Sequence, residues 1–443
     1  MLYIRLFFAA LLFSPMLLRA QSPEMSMILE RLDRLERENR ELLEEMRELR
    51  AQLAALSTDP PEERSDLDER LDIPEHRVEE QAQTKVESSE RYPLRFTGMA
   101  LFNAFLDSRQ NGGMDYPTVA SPTGPGRAGG TLRQSVLGLK FHGPESVWGG
   151  RIHGSIYMDF FSGSGSLSDS MRLRTTSIQI DWASRRIAAG VEKPIFNPRE
   201  PSSLAQVGVS PLAGTGNLWI WLPQVRFEQD FSISRASGVR AQMGVVATRE
   251  IGPYPGPPPV GNIEASRPGL EGRFELYHKF TEERRFELAP GFHLSTTHVA
   301  GRAVPSRVFS VDWFFSPVRR LELMGAFYHG QNVAHLGTGD IRQGFAVYDD
   351  EAEAVHSQGG WAQLTIHTLP RLDFHLFSGQ QDDRNSDLIA GGIGKNLLFG
   401  GNIFFRLAPN VLLGPEVSQV RTVYVGQRVR LNNHYDLALA YFF

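Results

Sequence analysis

After Pro93 the sequence runs for 350 residues in period-two alternation of apolar and polar side chains, with no helical spacing. That pattern constrains the chain more than any other feature, because a residue period of two is the signature of strands with one dry and one wet face. The stretch from Gly150 to Phe160 sets Gly, Ile, Gly, Ile, Met and Phe against Arg, His, Ser, Tyr and Asp. From Leu270 to Phe280, Leu270, Gly272, Phe274, Leu276 and Phe280 alternate with Glu271, Arg273, Glu275, Tyr277 and Lys279.

Alternation alone fits a soluble sandwich as well as a membrane barrel. Four further features favour the barrel. The strands run about ten residues or more, the length that crosses a bilayer at a tilt. Their connections alternate between tight (143–147, 183–185, 281–284, 316–319, 369–371, 408–410) and long (108–130, 193–222, 250–267, 330–358, 380–396). Aromatic residues sit at strand ends, as in Phe160–Phe161, Trp313–Phe315 and Tyr441–Phe443, where an interfacial girdle is expected. The last residue, Phe443, closes an aromatic-rich strand like the terminal signal read by the outer-membrane insertion machinery.

The expected strands are 94–107, 131–142, 148–160, 172–182, 186–192, 223–231, 237–249, 268–280, 285–299, 305–316, 319–329, 359–368, 371–379, 397–407, 411–424 and 433–443. The fold class is thus an all-β transmembrane barrel of about 16 antiparallel strands over residues 94–443. An even count brings both barrel ends to the periplasmic side.

Upstream, residues 1–20 carry Arg5 before an apolar stretch from Leu6 to Leu18, with Ala20 at a cleavage position. That is the layout of a secretory signal peptide; an uncleaved anchor is the alternative, although the stretch is short for a bilayer and broken at Ser14–Pro15. Residues 21–58 form a heptad arm. Leu32, Asn39, Met46 and Leu53 occupy a; Ile28, Leu35, Leu42, Leu49 and Leu56 occupy d. Arg31 at g faces Glu36 at e of a parallel neighbour, and Glu45 faces Arg50 likewise. An exposed leucine seam implies partner helices; Asn39 at a leans toward a dimer, while Met and Leu at a leave a trimer open. Asp59-Pro60-Pro61 stops the helix, and 59–93 reads as a charged linker.

Charge is unevenly distributed. The chain's −5 includes residues 21–93 with 11 Lys and Arg against 21 Asp and Glu, whereas the barrel region holds 33 against 30. The acidity belongs to the arm, and the barrel is slightly basic. With no cysteine, disulfides and Cys-type zinc sites are excluded. The acidic total speaks against nucleic acid as a partner. No G-x-S-x-G elbow, HExxH or phosphate-cradling glycine loop is present, so no enzyme activity, cofactor or metal is expected. The stretch Asp382-Asp383-Arg384-Asn385-Ser386-Asp387 lacks EF-hand order and reads as a solvated extracellular loop.

A signal segment, a heptad arm and about sixteen strands with an aromatic end resemble the DcaP-like outer-membrane porins. Asn433-His434-Tyr435-Asp436-Leu437-Ala438-Leu439-Ala440-Tyr441 is similar to their terminal strand, and KPIFNPREPSSLAQVGVSPLAGTGNLWIWLPQ (193–224) to the loop after their fifth strand. The resemblance implies a homotrimer joined by a periplasmic coiled coil, and anionic dicarboxylates as solutes for some members.

For such a protein the chemistry is electrostatics in a water-filled lumen. Polar strand faces put Arg151, His153, Tyr157, Asp159, Arg226, Glu228, Arg240, Arg273, Glu275, Lys279, Arg320, Asp373 and His375 inside. Loop 193–222 is long and carries Leu204, Val207, Val209, Leu212, Trp219 and Trp221, too apolar to remain in water. It is expected to fold into the barrel and bring Lys193, Arg199 and Glu200 to a constriction. Two functions follow. One is a passive channel for small hydrophilic solutes, neutral or anionic, with a mild anion preference. The other is a tether, with the arm reaching peptidoglycan and the barrel largely plugged. Both place the protein in the outer membrane, against lipid, with its arm in the periplasm.

Overall fold

The computed structural model describes residues 94–443 except 146, 163–169, 250–265, 300–301, 338–341 and 349–350. The signal segment, the heptad positions from Ile28 to Leu56 and the linker lie outside the described residues.

The wall strands are β1 (Leu94–Asp107), β2 (Arg127–Thr131), β3 (Val136–Glu145), β4 (Arg151–Ser162), β5 (Ser170–Asp181), β6 (Arg185–Glu192), β7 (Leu222–Ser232), β8 (Ser237–Arg249), β9 (Ser266–Lys279), β10 (Arg285–Val299), β11 (Arg302–Val318) and β12 (Leu321–Gln331). A small hairpin, β13 (Phe345–Tyr348) and β14 (Glu351–Ala354), precedes β15 (His356–Leu369), β16 (Leu372–Asp383), β17 (Ile393–Ala408), β18 (Val411–Tyr424) and β19 (Arg430–Phe442). Each wall strand pairs antiparallel with its neighbours, and β19 closes on β1 from Met99↔Phe442 to Asp107↔His434. Both β2 and β3 pair with β1, so they are two halves of one wall position and the barrel has sixteen. Sequence periodicity places that second strand at 131–142. The structure starts it earlier and breaks it at 132–135, where side chains replace ladder bonds: Ser135 Oγ accepts Leu101 N at 2.9 Å, and Gln134 turns inward.

Polarity is inverted relative to a soluble protein. Asn103, Glu271, Asp312, Gln363, Asn402 and Glu416 are buried, while Phe102, Leu276, Phe309, Phe327, Leu376 and Leu437 are exposed. Alternation dictates this once the sheet closes: one face of every strand lines a polar interior and the other meets an apolar medium. No helix among the described residues is long and apolar enough to cross a membrane. The doublets read as girdle divide between faces for the same reason. Phe161 lies beneath the Arg133 guanidinium, 4.2 Å from its ring centre, and Phe314 is buried among inner-face charges.

A charge on the outer face has no partner in lipid. Phe309→Arg, near the middle of β11 and 54% exposed, is expected to destabilise the barrel by about 2–4 kcal/mol. Urea titration of protein refolded into lipid vesicles checks this, with Phe309→Met as the uncharged control at the same position.

Candidate functional site: a charged lumen crossed by one loop

The connection from β6 to β7, residues 193–221 (L3), is mostly buried and has no exposed residue, although it contains no strand or helix. Its partners lie across the barrel. Ile195 N donates to Glu271 Oε2 on β9 (2.7 Å), Ser310 Oγ on β11 to Phe196 O (2.8 Å), and Ser202 N to Gln363 Oε1 on β15 (2.6 Å). Asn402 Nδ2 on β17 donates to Ser202 O (2.8 Å), Ser203 Oγ to Glu416 Oε2 on β18 (2.6 Å), and Asn103 Nδ2 on β1 to Leu204 O (2.9 Å). Gln134 receives Val207 N and Gly208 N through its Oε1 and donates to Ala205 O. Only a chain threaded through the interior reaches all of these walls. Several buried polar residues of the strands, Asn103, Gln363 and Asn402 among them, are thus bonded to loop backbone.

Apolar contacts hold the same loop. Ile195, Phe196 and Leu218 pack with Val246, Val308 and Tyr328; Leu212 packs with Trp361, Phe377 and Leu398; Leu204 packs with Leu101 and Ala438. The tip reverses at Leu212 to Asn217, where Leu212, Gly214 and Gly216 all have positive φ. Gly216 (φ +105) is obligatory twice over, since a Cβ there would also stand 2.6 Å from Gln380 O.

Two other long loops enter as well. In 108–126 (L1), Ala120 N donates to Thr422 Oγ1 (2.8 Å), Tyr424 OH to Ala120 O (3.1 Å), and Asn396 Nδ2 on β17 to Thr118 O (2.9 Å). In 332–355 (L6), the short helix α1 (Ala334–Gly337) is buried, and Ile220 N donates to Leu336 O (3.1 Å). Arg342 of L6 donates through Nε to Asp383 (2.9 Å) and through Nη2 to Ile393 O (3.1 Å). Asp383 is thus not a solvated loop residue: it ends β16 on the inward register and is buried under a guanidinium.

Two arginine–carboxylate constellations flank L3. The first spans β7–β11 and is balanced, with Arg285 on Glu287 (2.8 Å) as its fourth guanidinium. Asp312, fully buried, receives Arg273 Nε (2.7 Å) and Nη2 (2.8 Å) and Arg199 Nε (2.5 Å). Arg199 also reaches Glu287 (2.6 Å) and Glu275 (3.7 Å), Arg273 reaches Glu275 (2.7 Å), and Arg240 reaches Glu275 (2.9 Å) and Asp230 (3.5 Å). The second is unbalanced. Arg172 (2.8 Å) and Arg174 (2.8 Å) share Asp159, while Arg127 (3.0 Å) and Arg133 (2.8 Å) share Asp115. Four guanidinium groups meet two carboxylates. Trp221 and Phe161 lie beneath them, with Arg174 4.6 Å from the Trp221 ring centre.

The remaining residues singled out from sequence occupy defined places. Lys193 pairs with Glu200 at the start of L3. Arg226 pairs with Glu192 (3.0 Å) and Glu228 (2.8 Å). Arg151 is exposed at the start of β4, opposite Glu145 and Asp181 in register, and Lys279 is exposed at the end of β9 opposite Arg285. His153 lies 3.6 Å from Asp181, and His375 accepts or donates at Thr365 Oγ1 (3.0 Å). Sequence reasoning missed Arg127, Arg133, Arg172 and Arg174. The Arg172-Leu173-Arg174 spacing on an alternating strand was the available signal.

At the root of L3, Glu271 accepts His293 Nδ1 (2.9 Å), and His293 Nε2 meets Ser295 Oγ (2.8 Å). The His335 ring of α1 lies 5.8 Å from that of His293, tilted by 59°. Burial, reinforced by His293, pushes the His335 pKa down to about 3. In the released loop it returns to about 6.5. The released state then binds the extra proton, so the docked state loses stability as pH falls from 6.5 toward 3. Acidification over that window is expected to loosen L6 and increase current noise in bilayer recordings. In His335→Leu the response flattens.

A closed antiparallel barrel with a polar interior, an apolar exterior and a long loop through its lumen is the fold of outer-membrane channels. The crystal structure of the outer membrane channel DcaP of Acinetobacter baumannii matches with a TM-score of 0.66 at 16% identity, covering 79% of this chain and 97% of that one. The anion-selective porin from Comamonas acidovorans matches with a TM-score of 0.55 at 11% identity, covering 79% and 99%. No protein-family pattern and no curated protein matches the sequence.

Proposed function

We propose that the protein is an outer-membrane channel for passive diffusion of small hydrophilic solutes, with a preference for anions. The observation that carries the preference is the arginine surplus beside L3: Arg127, Arg133, Arg172 and Arg174 against Asp115 and Asp159. Water-filled narrow passages amplify such a surplus, because low-dielectric walls focus the field. Guanidinium also binds carboxylate or phosphate in a two-point fork. Lys193, Arg199, Glu200, Arg226, Glu228 and Arg240 complete the pore lining in this reading. The apolar strand faces contact outer-membrane lipid. The heptad arm joins three copies in the periplasm, where it reaches peptidoglycan.

The burial of most of L3, of 116–118 and Ala120 in L1 and of 332–337 in L6 favours a second reading, a tether with a closed barrel. Planar-bilayer recording of purified protein separates the two. Stepwise conductance grouped in threes supports a trimeric channel, and a silent barrel supports the tether.

A further inference from the structure

At the short-turn end of the barrel, His142 on β3 and His153 on β4 are directly opposed in the antiparallel register. Both belong to the inward-facing set that includes Asp159, and both are accessible, His142 being exposed and His153 half-buried. Their Nδ1 atoms approach to 3.1 Å with the rings at 83°. On the far side of His153, Nε2 lies 3.6 Å from Asp181 Oδ2, and Asp181 is held by Arg186. None of these groups takes part in the arginine constellation.

We propose that His142 and His153 form a site for a divalent transition-metal ion of the zinc type, bound between the two Nδ1 atoms. Two imidazole nitrogens on a tetrahedral zinc stand about 3.3 Å apart, from Zn–N lengths of about 2.0–2.1 Å. The observed pair needs to open by only about 0.2 Å to admit the ion. Asp181 supplies the outer element that metal-binding histidines use. At 3.6 Å the Asp181 carboxylate acts by charge rather than by a direct hydrogen bond: it favours the proton on Nε2 and so leaves the His153 Nδ1 lone pair free to face His142. Without metal, His142 Nδ1–H donates to that lone pair. On binding, the His142 proton moves to its solvent-facing Nε2, the ring stays neutral, and the ion takes the place of the shared hydrogen. Clusters of three or more His, Asp or Glu side chains suited to a metal are absent among the described residues. The site therefore uses two protein ligands, with water completing the coordination, and imidazole donors select zinc, copper or nickel over magnesium or calcium.

The test is calorimetric titration of the full chain in detergent with zinc chloride, referenced to a detergent blank. Wild type is expected to take up one ion per chain that His142→Ala and His153→Ala each bind at least tenfold more weakly. Asp181→Asn, which keeps both ligands, is expected to weaken the same binding about tenfold. Heat-dependent gel migration verifies that each variant is a folded barrel, and His142→Gln repeats the loss in a variant of similar polarity. Absence of uptake by wild type, or variants that bind as tightly as wild type, overturns the proposal.

Discussion

Asp312→Ala is expected to lower the stability of the folded barrel by about 3–5 kcal/mol, the loss typical of removing one partner from a buried ion pair. Asp312 is fully buried and accepts hydrogen bonds from Arg273 and Arg199. Without it, two guanidinium groups are left to Glu275 and Glu287, and Arg273 cannot turn to water because it is 3% exposed. The effect reaches L3, since Arg199 is one of that loop's ties to the wall. The variant should thus unfold at lower urea and conduct with more noise. Asp312→Asn, which keeps an acceptor and loses the charge, should fall between. Equal stability of all three proteins would mean that the network is solvated rather than buried.

Replacing residues 198–218 by a short Gly-Ser linker is expected to raise single-channel conductance several-fold while leaving the barrel folded. The wall does not depend on the loop: its backbone is satisfied strand to strand, and its outer face is dry. Asn103, Gln363, Asn396 and Asn402, which now bond to loop backbone, regain water in an open lumen. Gly216→Ala should move in the same direction by less, because it only unseats the tip. Unchanged conductance in the linker variant would show that L3 is not what narrows the passage.

The wall was legible because its signal is local. Expected strands 94–107, 237–249, 285–299 and 411–424 coincide with β1, β8, β10 and β18. The inward course of L3 was legible too, since thirty residues with two tryptophans and several leucines have nowhere dry to go except the lumen. L1 and L6 gave no such warning. Tyr116 and Ala120 are isolated apolar residues among Gly and Pro, and their partners Glu416 and Thr422 lie about three hundred positions away. Long-range pairings of that kind leave no periodicity to read. The Asp159 and Asp115 constellations were hidden for the same reason: Arg127, Arg133, Arg172 and Arg174 converge only after the wall closes and L3 enters. Arg199 was placed on the right loop, but its three carboxylate partners come from β9, β10 and β11, which no spacing within the loop announces.

The proposed channel passes water and anions through a lumen whose fixed charge beside L3 is positive. Its most direct test is the zero-current potential of purified protein in a planar bilayer under a potassium chloride gradient. Open channels are expected whose potential has the sign set by chloride, shifting toward potassium when Arg127 and Arg133 are both changed to Gln. Current carried mainly by potassium in the unaltered protein, or no current at all, would contradict it.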